Sequence, residues 1–201
     1  MVWKRVLNVV SAVILLALAG ALVVTLAVTF GPVDRASQPD VDGPENTTGV
    51  PEVEASAHPD IDGERLEMEI FEAVNERRSE YGREPFVHSE RVRLIARLHS
   101  KDMADRDFYD HRNPDGQGSE ERHEEYDGCE STNENIAYLT PRQVNETDDV
   151  AATFVEMWAN SPGHNTSMLT TYDHVSAVGV YVTQRGEIYA TQNFCREHPN
   201  A

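Results

Sequence analysis

The chain is 201 residues long and carries a formal net charge of −18 at pH 7, a length that suits one folded domain with accessory segments. The acid excess excludes nucleic acids and anionic membrane surfaces as partners of the folded part, because like charges repel each other. Only two lysines stand against fifteen arginines. Such a surface resembles those of extreme halophiles, where high salt screens the repulsion, and an ordinary acidic secreted protein is the alternative.

The N-terminal segment, residues 1–30, predicts a membrane anchor. Residues 6–30 contain no charged side chain and follow Lys4 and Arg5, and about twenty apolar residues are enough to cross a bilayer. The basic flank stays in the cytoplasm, so we expect everything after residue 30 to lie outside the cell. The alternative is a signal peptide cleaved near "ALAGA" (17–21), which would give a secreted protein.

Residues 31–63 predict an acidic, disordered linker. This stretch holds five prolines and eight acidic residues but hardly any large apolar side chain. It cannot bury a core, so we expect residues 34–60 to be disordered. A near repeat, "PDVDG" (39–43) and "PDIDG" (59–63), contains a fragment of a calcium-binding loop without the full set of oxygen ligands, which favours the linker interpretation.

The folded domain is expected at residues 64–201, and its first half is helical. Apolar residues recur at helical spacing over residues 66–82, which predicts a first helix. Ser89 is the expected N-cap of a second helix, with His99 on its apolar face as a core histidine rather than a ligand. A third helical pattern covers about residues 147–158.

The second half of the domain contains strands. "VSAVGVYVT" (175–183) and "EIYATQNF" (187–194) are rich in β-branched and aromatic residues, and they flank "QRG" (184–186), which predicts a hairpin. "ENIAYL" (134–139) is a further candidate strand. Helices followed by a closing hairpin predict an α+β domain, with helices packed on a small antiparallel sheet.

The segment "WANSPGHNTSML" (158–169) contains a candidate functional histidine. Ser161 can cap a new helix and Pro162 suits its first position, which places His164 in the first helical turn. The positive end of the helix dipole favours the neutral imidazole there. The alternative is a polar residue at a turn.

Six motifs in a fixed order carry a family resemblance. They are "NERRSEYGREPF" (75–86), "ARLHSKDMADRDFYDH" (96–111), "NPDG" (113–116), "ENIAYL" (134–139), "MWANSPGHNTSML" (157–169) and the closing "VGVYVT" with "IYATQNF". Together they resemble the CAP superfamily of cysteine-rich secretory proteins, antigen 5 and pathogenesis-related 1 proteins, in its prokaryotic SCP-like branch. The resemblance covers nearly all of residues 64–201 and implies an α–β–α sandwich.

The resemblance also implies a central cleft with two histidines and two acidic residues. When each position is transferred separately, the two histidines fall on His111 and His164, and one of the acids falls on Glu134. The second acid commonly follows the helix-ending tryptophan by three residues, where this chain has Ser161. Glu156 is near in sequence but points from another side of the helix. The missing carboxylate argues against general acid–base catalysis.

Two imidazoles and a carboxylate from distant segments are the ligands of an open divalent-metal site. We therefore expect His111, Glu134 and His164 to converge in one cleft and to hold Zn²⁺ or another divalent cation weakly. The alternative is a hydrogen-bonded polar cluster that joins three segments of the fold.

The remaining candidate residues suit an exported chain. Cys129 and Cys195 lie on the oxidising side of the membrane and are expected to form a disulfide, with two independent buried thiols as the alternative. Asn46 and Asn145 are candidate glycosylation sites. Asn165 also lies in such a motif, but it adjoins the cleft, so we do not expect it to be modified.

Three functions are compatible with these residues. The first is a membrane-anchored, extracellular binding module for a lipid, glycan or protein ligand, which the missing acid favours. The second is a metal-dependent hydrolase with Glu134 as general base for a metal-bound water. The third and weakest is a protease that uses Ser161 and His164, for which no orienting partner or oxyanion site is apparent. Gly-x-Ser-x-Gly, His-Glu-x-x-His and phosphate-binding glycine motifs are absent from the sequence.

Overall fold

A four-stranded sheet lies between helices in the computed structural model of the chain, which describes residues 46–196. The elements in chain order are α1 (Gly63–Glu80), β1 (Val87–His88), α2 (Glu90–Arg106), α3 (Ser119–Glu125), β2 (Ser131–Leu139), α4 (Pro141–Glu146), α5 (Val150–Ala159), α6 (Pro162–Met168), β3 (Val175–Val182) and β4 (Ile188–Cys195). The strand order in the sheet is β1-β3-β4-β2.

The sheet is mixed. Strands β3 and β4 form the predicted hairpin, and β2 pairs with β4 in antiparallel fashion. Strand β1 runs parallel to β3, with Val87 opposite Val175 and His88 opposite Ser176. The α+β class is confirmed, but the expected purely antiparallel sheet is corrected to a mixed one. Two residues are too few to show an alternating pattern, so β1 leaves no signal in the sequence.

Helices cover both faces of the sheet. Side chains of a strand alternate between faces, so Val178 and Val180 of β3 join α1 and α5 in the main core, whereas Ala177 packs near Val92 of α2. A Cβ atom on Gly179 would lie 2.0 Å from the backbone nitrogen of Arg97. Glycine is required there because α2 lies directly on the strand.

The segment from residue 46 to residue 62 packs on this domain. Val50 and Ala55 are buried, and the N–H of Val182 donates to the carbonyl of Ala55. The N–H of Ala57 donates in turn to the carbonyl of Val182, at the end of β3. These contacts join the segment to the sheet and extend the ordered chain to residue 46, eighteen residues before the start that the hydrophobic pattern indicates.

The linker expectation therefore changes for part of its length. Residues 46–60 are held by this backbone pairing and by hydrogen bonds that Arg91 and Arg97 donate to the carbonyl groups of Asn46 and Val53. Neither kind of contact needs a large apolar side chain in the segment, so composition cannot reveal them. Asp62 of "PDIDG" accepts a hydrogen bond from the Arg65 N–H and caps α1. Residues 31–45 and the predicted anchor, residues 6–30, lie outside the described part. Within residues 46–196, no helix is long and apolar enough to cross a membrane.

The predicted starts of α2 and α6 agree with the structure. Ser89 caps α2 by accepting the N–H of Val92, and α6 begins with Pro162 at its first position. Ser161 is the N-cap residue of α6, but its side chain makes no capping hydrogen bond. The third predicted helix starts later than expected, because the side chain of Asp149 caps α5 at residue 150.

Candidate functional site

Glu134 is the central side chain of the cleft. It lies on β2, in register with Asn193 of β4, on the sheet face that α2 and α3 cover, and its side chain is only 4% exposed. Its Oε1 lies 2.9 Å from Nδ1 of His111, and its Oε2 accepts a hydrogen bond from Nη2 of Arg122. Both carboxylate oxygens are therefore occupied by protein groups.

Two further buried side chains support Glu134. Arg122 of α3 donates through Nη1 to the carbonyl groups of His111 and Gln117, which fixes its guanidinium group. His99 of α2 places its Nε2 atom 3.8 Å from Oε1 of Glu134 and 3.1 Å from the carbonyl oxygen of Asp110. The predicted core histidine is thus buried, as expected, and also borders the cleft.

The protonation states follow from these contacts. Burial raises the pKa of Glu134, but the His111 hydrogen bond and the Arg122 charge outweigh it and hold this pKa below its usual value. The hydrogen bond to Glu134 raises the pKa of His111. Burial lowers the pKa of His99 to about 4. At neutral pH the cleft therefore contains an ionised carboxylate and a neutral buried imidazole.

His164 faces this pair from α6. Its carbonyl group accepts a hydrogen bond from the side-chain amide of Asn135, which ties α6 to β2. Burial and then the charge of His111 lower the pKa of His164, so the two imidazoles are near enough to repel each other when protonated. The structure brings His111 and Glu134 into direct contact and leaves His164 at longer range.

A metal-ligand cluster occurs elsewhere in the described chain. Among residues 46–196, one group of three such side chains has its ligand atoms within 4.8 Å of one another, and it comprises His123, Cys129 and Cys195 rather than the cleft residues. Cys129 and Cys195 form a disulfide in the structure. This bond ties the segment before β2 to the end of β4, as the sequence predicts.

A polar cavity of about 350 Å³ opens beside Glu134. Its lining includes the exposed side of His111 together with hydroxyl and amide groups of Ser119, Ser131, Thr132 and Asn133. These side chains can donate and accept hydrogen bonds, and the charged residues Arg112 and Glu120 also line the cavity. The cavity therefore suits a small polar group better than an acyl chain.

A row of tyrosines continues from the cavity along the same sheet face. Tyr138, Tyr189 and Tyr181 are neighbours in register across β2, β4 and β3. The rings of Tyr138 and Tyr189 have centroids 4.7 Å apart, and Tyr109 lies 6.5 Å from Tyr138. Four residues separate Tyr138 from Glu134 on one strand, which is about 13 Å. We call these four tyrosines the tyrosine row.

The other predicted residues lie around this site. Ser161 starts α6, and Glu156 is exposed on α5, where it does not replace the missing acid. The side chains of Asn46 and Asn145 are exposed, as a glycosylation acceptor requires. Oδ1 of Asn165 accepts two hydrogen bonds from Arg77, so its amide is engaged in the fold.

Sequence reasoning missed Arg122 and His123. Both lie in α3, whose sequence "SEERHEE" has no apolar repeat, so no hydrophobic pattern predicts the helix. The single signal is an adjacent arginine and histidine inside a run of acids. An exposed charged segment gives the same pattern, and only the fold shows that both side chains are buried.

The fold and the cleft define a CAP domain, and the comparison with family profiles agrees. The profile of the cysteine-rich secretory protein family, CAP, matches residues 71–194. The chain belongs to this family. The matched region contains the second half of α1, strands β1 to β3, β4 without its last residue, and every cleft residue described above.

Similar proteins come from several bacteria. The uncharacterised protein YkwD of Bacillus subtilis (strain 168) is 27% identical over 129 residues, which is 63% of this chain and 46% of that protein. An extracellular protein containing an SCP domain from Bacillus anthracis str. Ames is 25% identical, with a TM-score of 0.52, over 67% of this chain and 41% of that one. This chain thus spans less than half the length of both relatives.

An outer surface protein of Borrelia burgdorferi shares the fold alone. It has a TM-score of 0.54 at 16% identity, over 68% of this chain and 97% of that one. This likeness shows that the two chains share the mixed sheet with helices on both faces.

Proposed function

We propose that this domain is a cell-surface binding module that holds a neutral glycan along the cleft and the tyrosine row. The observation that carries the proposal is the continuity of one sheet face, on which the polar cavity beside Glu134 is followed by the tyrosine row. A pocket rich in hydrogen-bonding groups beside a row of partly exposed aromatic rings offers two kinds of contact to one extended ligand.

Sugar chemistry fits both parts of this surface. The C–H faces of sugar rings pack on aromatic rings, which combine an apolar face with a polar tip, and Tyr109 is 54% exposed. Sugar hydroxyls can pair with the side chains of Ser119, Ser131 and Asn133 in the cavity. The net charge of −18 disfavours anionic ligands, so we propose a neutral glycan over an anionic lipid.

Binding is better supported than hydrolysis. A general base works best when its pKa lies near the operating pH, whereas the contacts of Glu134 hold its pKa below the usual range. Its two oxygens are engaged by His111 and Arg122, so activating a water would require one of these contacts to break. The absence of a second acid at position 161, where this chain has a serine, also favours binding over hydrolysis.

The cleft residues would also fit a weakly bound divalent cation. Glu134 contacts Nδ1 of His111, which leaves Nε2 as the ligand atom in the carboxylate–histidine arrangement common around zinc. His111 and His164 would supply the imidazoles, and Glu134 would orient His111 instead of ligating. The cation would act as a Lewis acid toward a bound polar group.

We propose an extracellular position for the domain, anchored through residues 6–30. The apolar run after Lys4 and Arg5 supports a single span with the basic side in the cytoplasm. The similar Bacillus anthracis protein is described as extracellular. The Cys129–Cys195 disulfide also suits an oxidising compartment.

Calorimetric titration of the chain with short neutral oligosaccharides, one series of hexoses and one of N-acetylated amino sugars, tests the binding proposal. Tyr189→Ala should weaken binding by about fivefold, because one aromatic contact contributes roughly 1 kcal/mol beyond its buried area. The matched control is Tyr172→Ala, since Tyr172 is 80% exposed and outside the tyrosine row. Equal affinities for wild type and Tyr189→Ala would refute the surface. Cleaved sugar that disappears in Glu134→Gln would establish the hydrolase alternative.

A further inference from the structure

Three metal-ligating side chains meet at the end of β2 that is remote from the tyrosine row. His123 comes from α3, Cys129 precedes β2, and Cys195 ends β4. Nδ1 of His123 and both Sγ atoms lie within 4.8 Å of one another, and Nδ1 is 3.4 Å from the sulfur of Cys129. All three residues are buried, with His123 only 1% exposed.

The partner of His123 fits a ligating imidazole. The side-chain amide nitrogen of Asn193 lies 2.7 Å from Nε2 of His123, while Oδ1 of Asn193 is buried without a hydrogen-bond partner. Turning this amide over exchanges the two atoms, which are nearly indistinguishable in shape. Oδ1 would then accept the Nε2–H proton, and Nδ1 would present its lone pair to the sulfur atoms. An oxygen acceptor behind a ligating histidine is the usual arrangement in metal sites.

The imidazole is also held in place by the chain itself. A Cβ atom on Gly128 would lie 2.5 Å from Nδ1 of His123, so the turn before Cys129 packs directly against the ring. The N–H of Gly128 donates to the carbonyl of His123. The approach of Cys129 to the imidazole is therefore built into the backbone and does not depend on the disulfide alone.

We propose that reduction of the Cys129–Cys195 disulfide converts this cluster into a Zn²⁺ site made of two thiolates and Nδ1 of His123. An external dithiol supplies two electrons and two protons, so that both cysteines become thiols and the dithiol becomes a disulfide. Zn²⁺ then displaces the two thiol protons. Thiolate and imidazole are the ligands that Zn²⁺ prefers, and a water completes the four-coordinate set.

The site would have a structural consequence for the cleft. His123 follows Arg122 on α3, and Arg122 holds Oε2 of Glu134. The disulfide and the zinc ion are thus alternative links between the segment before β2 and the end of β4. Through His123 the zinc form would also hold α3, and with it Arg122, against the sheet after the disulfide is opened.

The test is Zn²⁺ titration of the full-length chain, oxidised and reduced, in competition with a chromophoric chelator. Any binding in the cleft occurs in both states, so the increment on reduction reports the new site. We expect one additional Zn²⁺ per chain after reduction, with release of two protons. His123→Ala should lower the added affinity by at least about tenfold, and His58→Ala, which alters a histidine outside the cluster, should leave it unchanged.

A measurement on the wild-type chain keeps the proposal testable if the variants fold poorly. X-ray absorption at the zinc edge of the reduced, zinc-loaded chain should show two sulfur ligands and at least one nitrogen ligand. A spectrum without sulfur, or no additional Zn²⁺ on reduction, would overturn the proposal. A chain that unfolds on reduction and does not refold with Zn²⁺ would overturn it as well.

Discussion

Glu134 decides the chemistry of the cleft through its contacts. A buried carboxylate normally has a raised pKa, since low dielectric disfavours its charge. Here Arg122 and His111 reverse that effect and keep the charge in place. The same contact makes His111 a stronger base. Its Nδ1 atom is held by Glu134, but the side chain remains 52% exposed. A ligand can therefore reach the solvent-facing side of the ring.

Glu134→Gln should lower the pKa of His111. The substitution removes the negative charge and replaces the carboxylate by a weaker, neutral amide acceptor, both of which lower this pKa, while the Arg122 charge remains and acts in the opposite direction. NMR titration of the imidazole proton measures this pKa directly. Glu124→Gln changes an exposed acid of α3 and serves as the control. An unchanged His111 pKa in Glu134→Gln would mean that the two side chains are not paired in solution.

The sign of the linked stability follows from the same shifts. His111 has a raised pKa in the folded chain, so its contribution is complete below about pH 6.5 and is lost as pH rises through the folded value. Glu134 has a lowered pKa, so its contribution is present above the ordinary glutamate value and is lost as pH falls through the folded one. The pair is therefore most stable in mildly acidic solution.

Among the elements, the contact between α2 and β3 positions the cleft. Gly179 lets the backbone of α2 lie on the strand, and the hydroxyl of Ser100 donates to the carbonyl of Gly179. This contact sets the depth at which α2 lies, and α2 carries His99 toward Glu134. The packing of α2 on β3 thus determines where His99 lies relative to Glu134.

Gly179→Ala should therefore destabilise the fold strongly. The Cβ atom of the alanine would lie 2.0 Å from the backbone nitrogen of Arg97. Because a backbone atom cannot rotate away as a side chain can, helix α2 must shift. We expect this shift to lower the free energy of unfolding by about 3 kcal/mol or more. Gly163→Ala is the matched control, because nothing lies within 4 Å of its Cβ position. Urea unfolding of both variants gives the free energies. Equal midpoints for the two variants would show that α2 does not approach the strand this closely.

Long, patterned elements could be predicted from the sequence, and short ones could not. The 175–194 hairpin and helix α1 each repeat an apolar period several times, so they agree with the structure. Strand β1 and helix α3 are too short, or too poor in apolar residues, to show an apolar repeat, so their sequences look like those of loops. Segment 46–62 is held by two backbone hydrogen bonds to β3 and by hydrogen bonds from Arg91 and Arg97 to its carbonyl groups, which no hydrophobic pattern encodes.

The sequence predicts those residues of the candidate site that lie within the family motifs. Motif positions gave His111, Glu134 and His164, but the partners of Glu134 come from segments without such a signal. Arg122 is brought to it by tertiary packing of a charged helix. The tyrosine row depends on the register between β2 and β4, and pairing of strands some fifty residues apart cannot be read from either strand alone.

At the scale of the whole molecule, the disulfide closes a long loop. Cys129 and Cys195 are 66 residues apart, and closing a loop of this length stabilises a fold by about 4 kcal/mol in the chain-entropy description. The loop contains β2, α4, α5, α6 and β3, so one bond restrains most of the elements around the cleft. The halophilic character suggested by the acidic composition stays a prediction.

The membrane topology can be tested on intact cells. Protease added outside should cut between residues 31 and 45 and release the folded domain, because this segment is rich in acids and proline and has hardly any large apolar side chain to bury. The released fragment is identified by its mass. A cytoplasmic protein in the same cells is the control for lysis. Digestion that requires lysis would place the domain inside, and a fragment released without protease would favour the cleaved signal peptide.

The most direct test of the binding proposal is an NMR titration of the chain with the tightest oligosaccharide of the calorimetric series. Signals of the His111 ring and of the Tyr138 and Tyr189 rings should shift together and give one dissociation constant, while the sugar signals remain those of the intact oligosaccharide. Shifts confined to other parts of the chain would contradict the proposed surface. New sugar signals from a cleaved product would contradict the assignment of the cleft to binding.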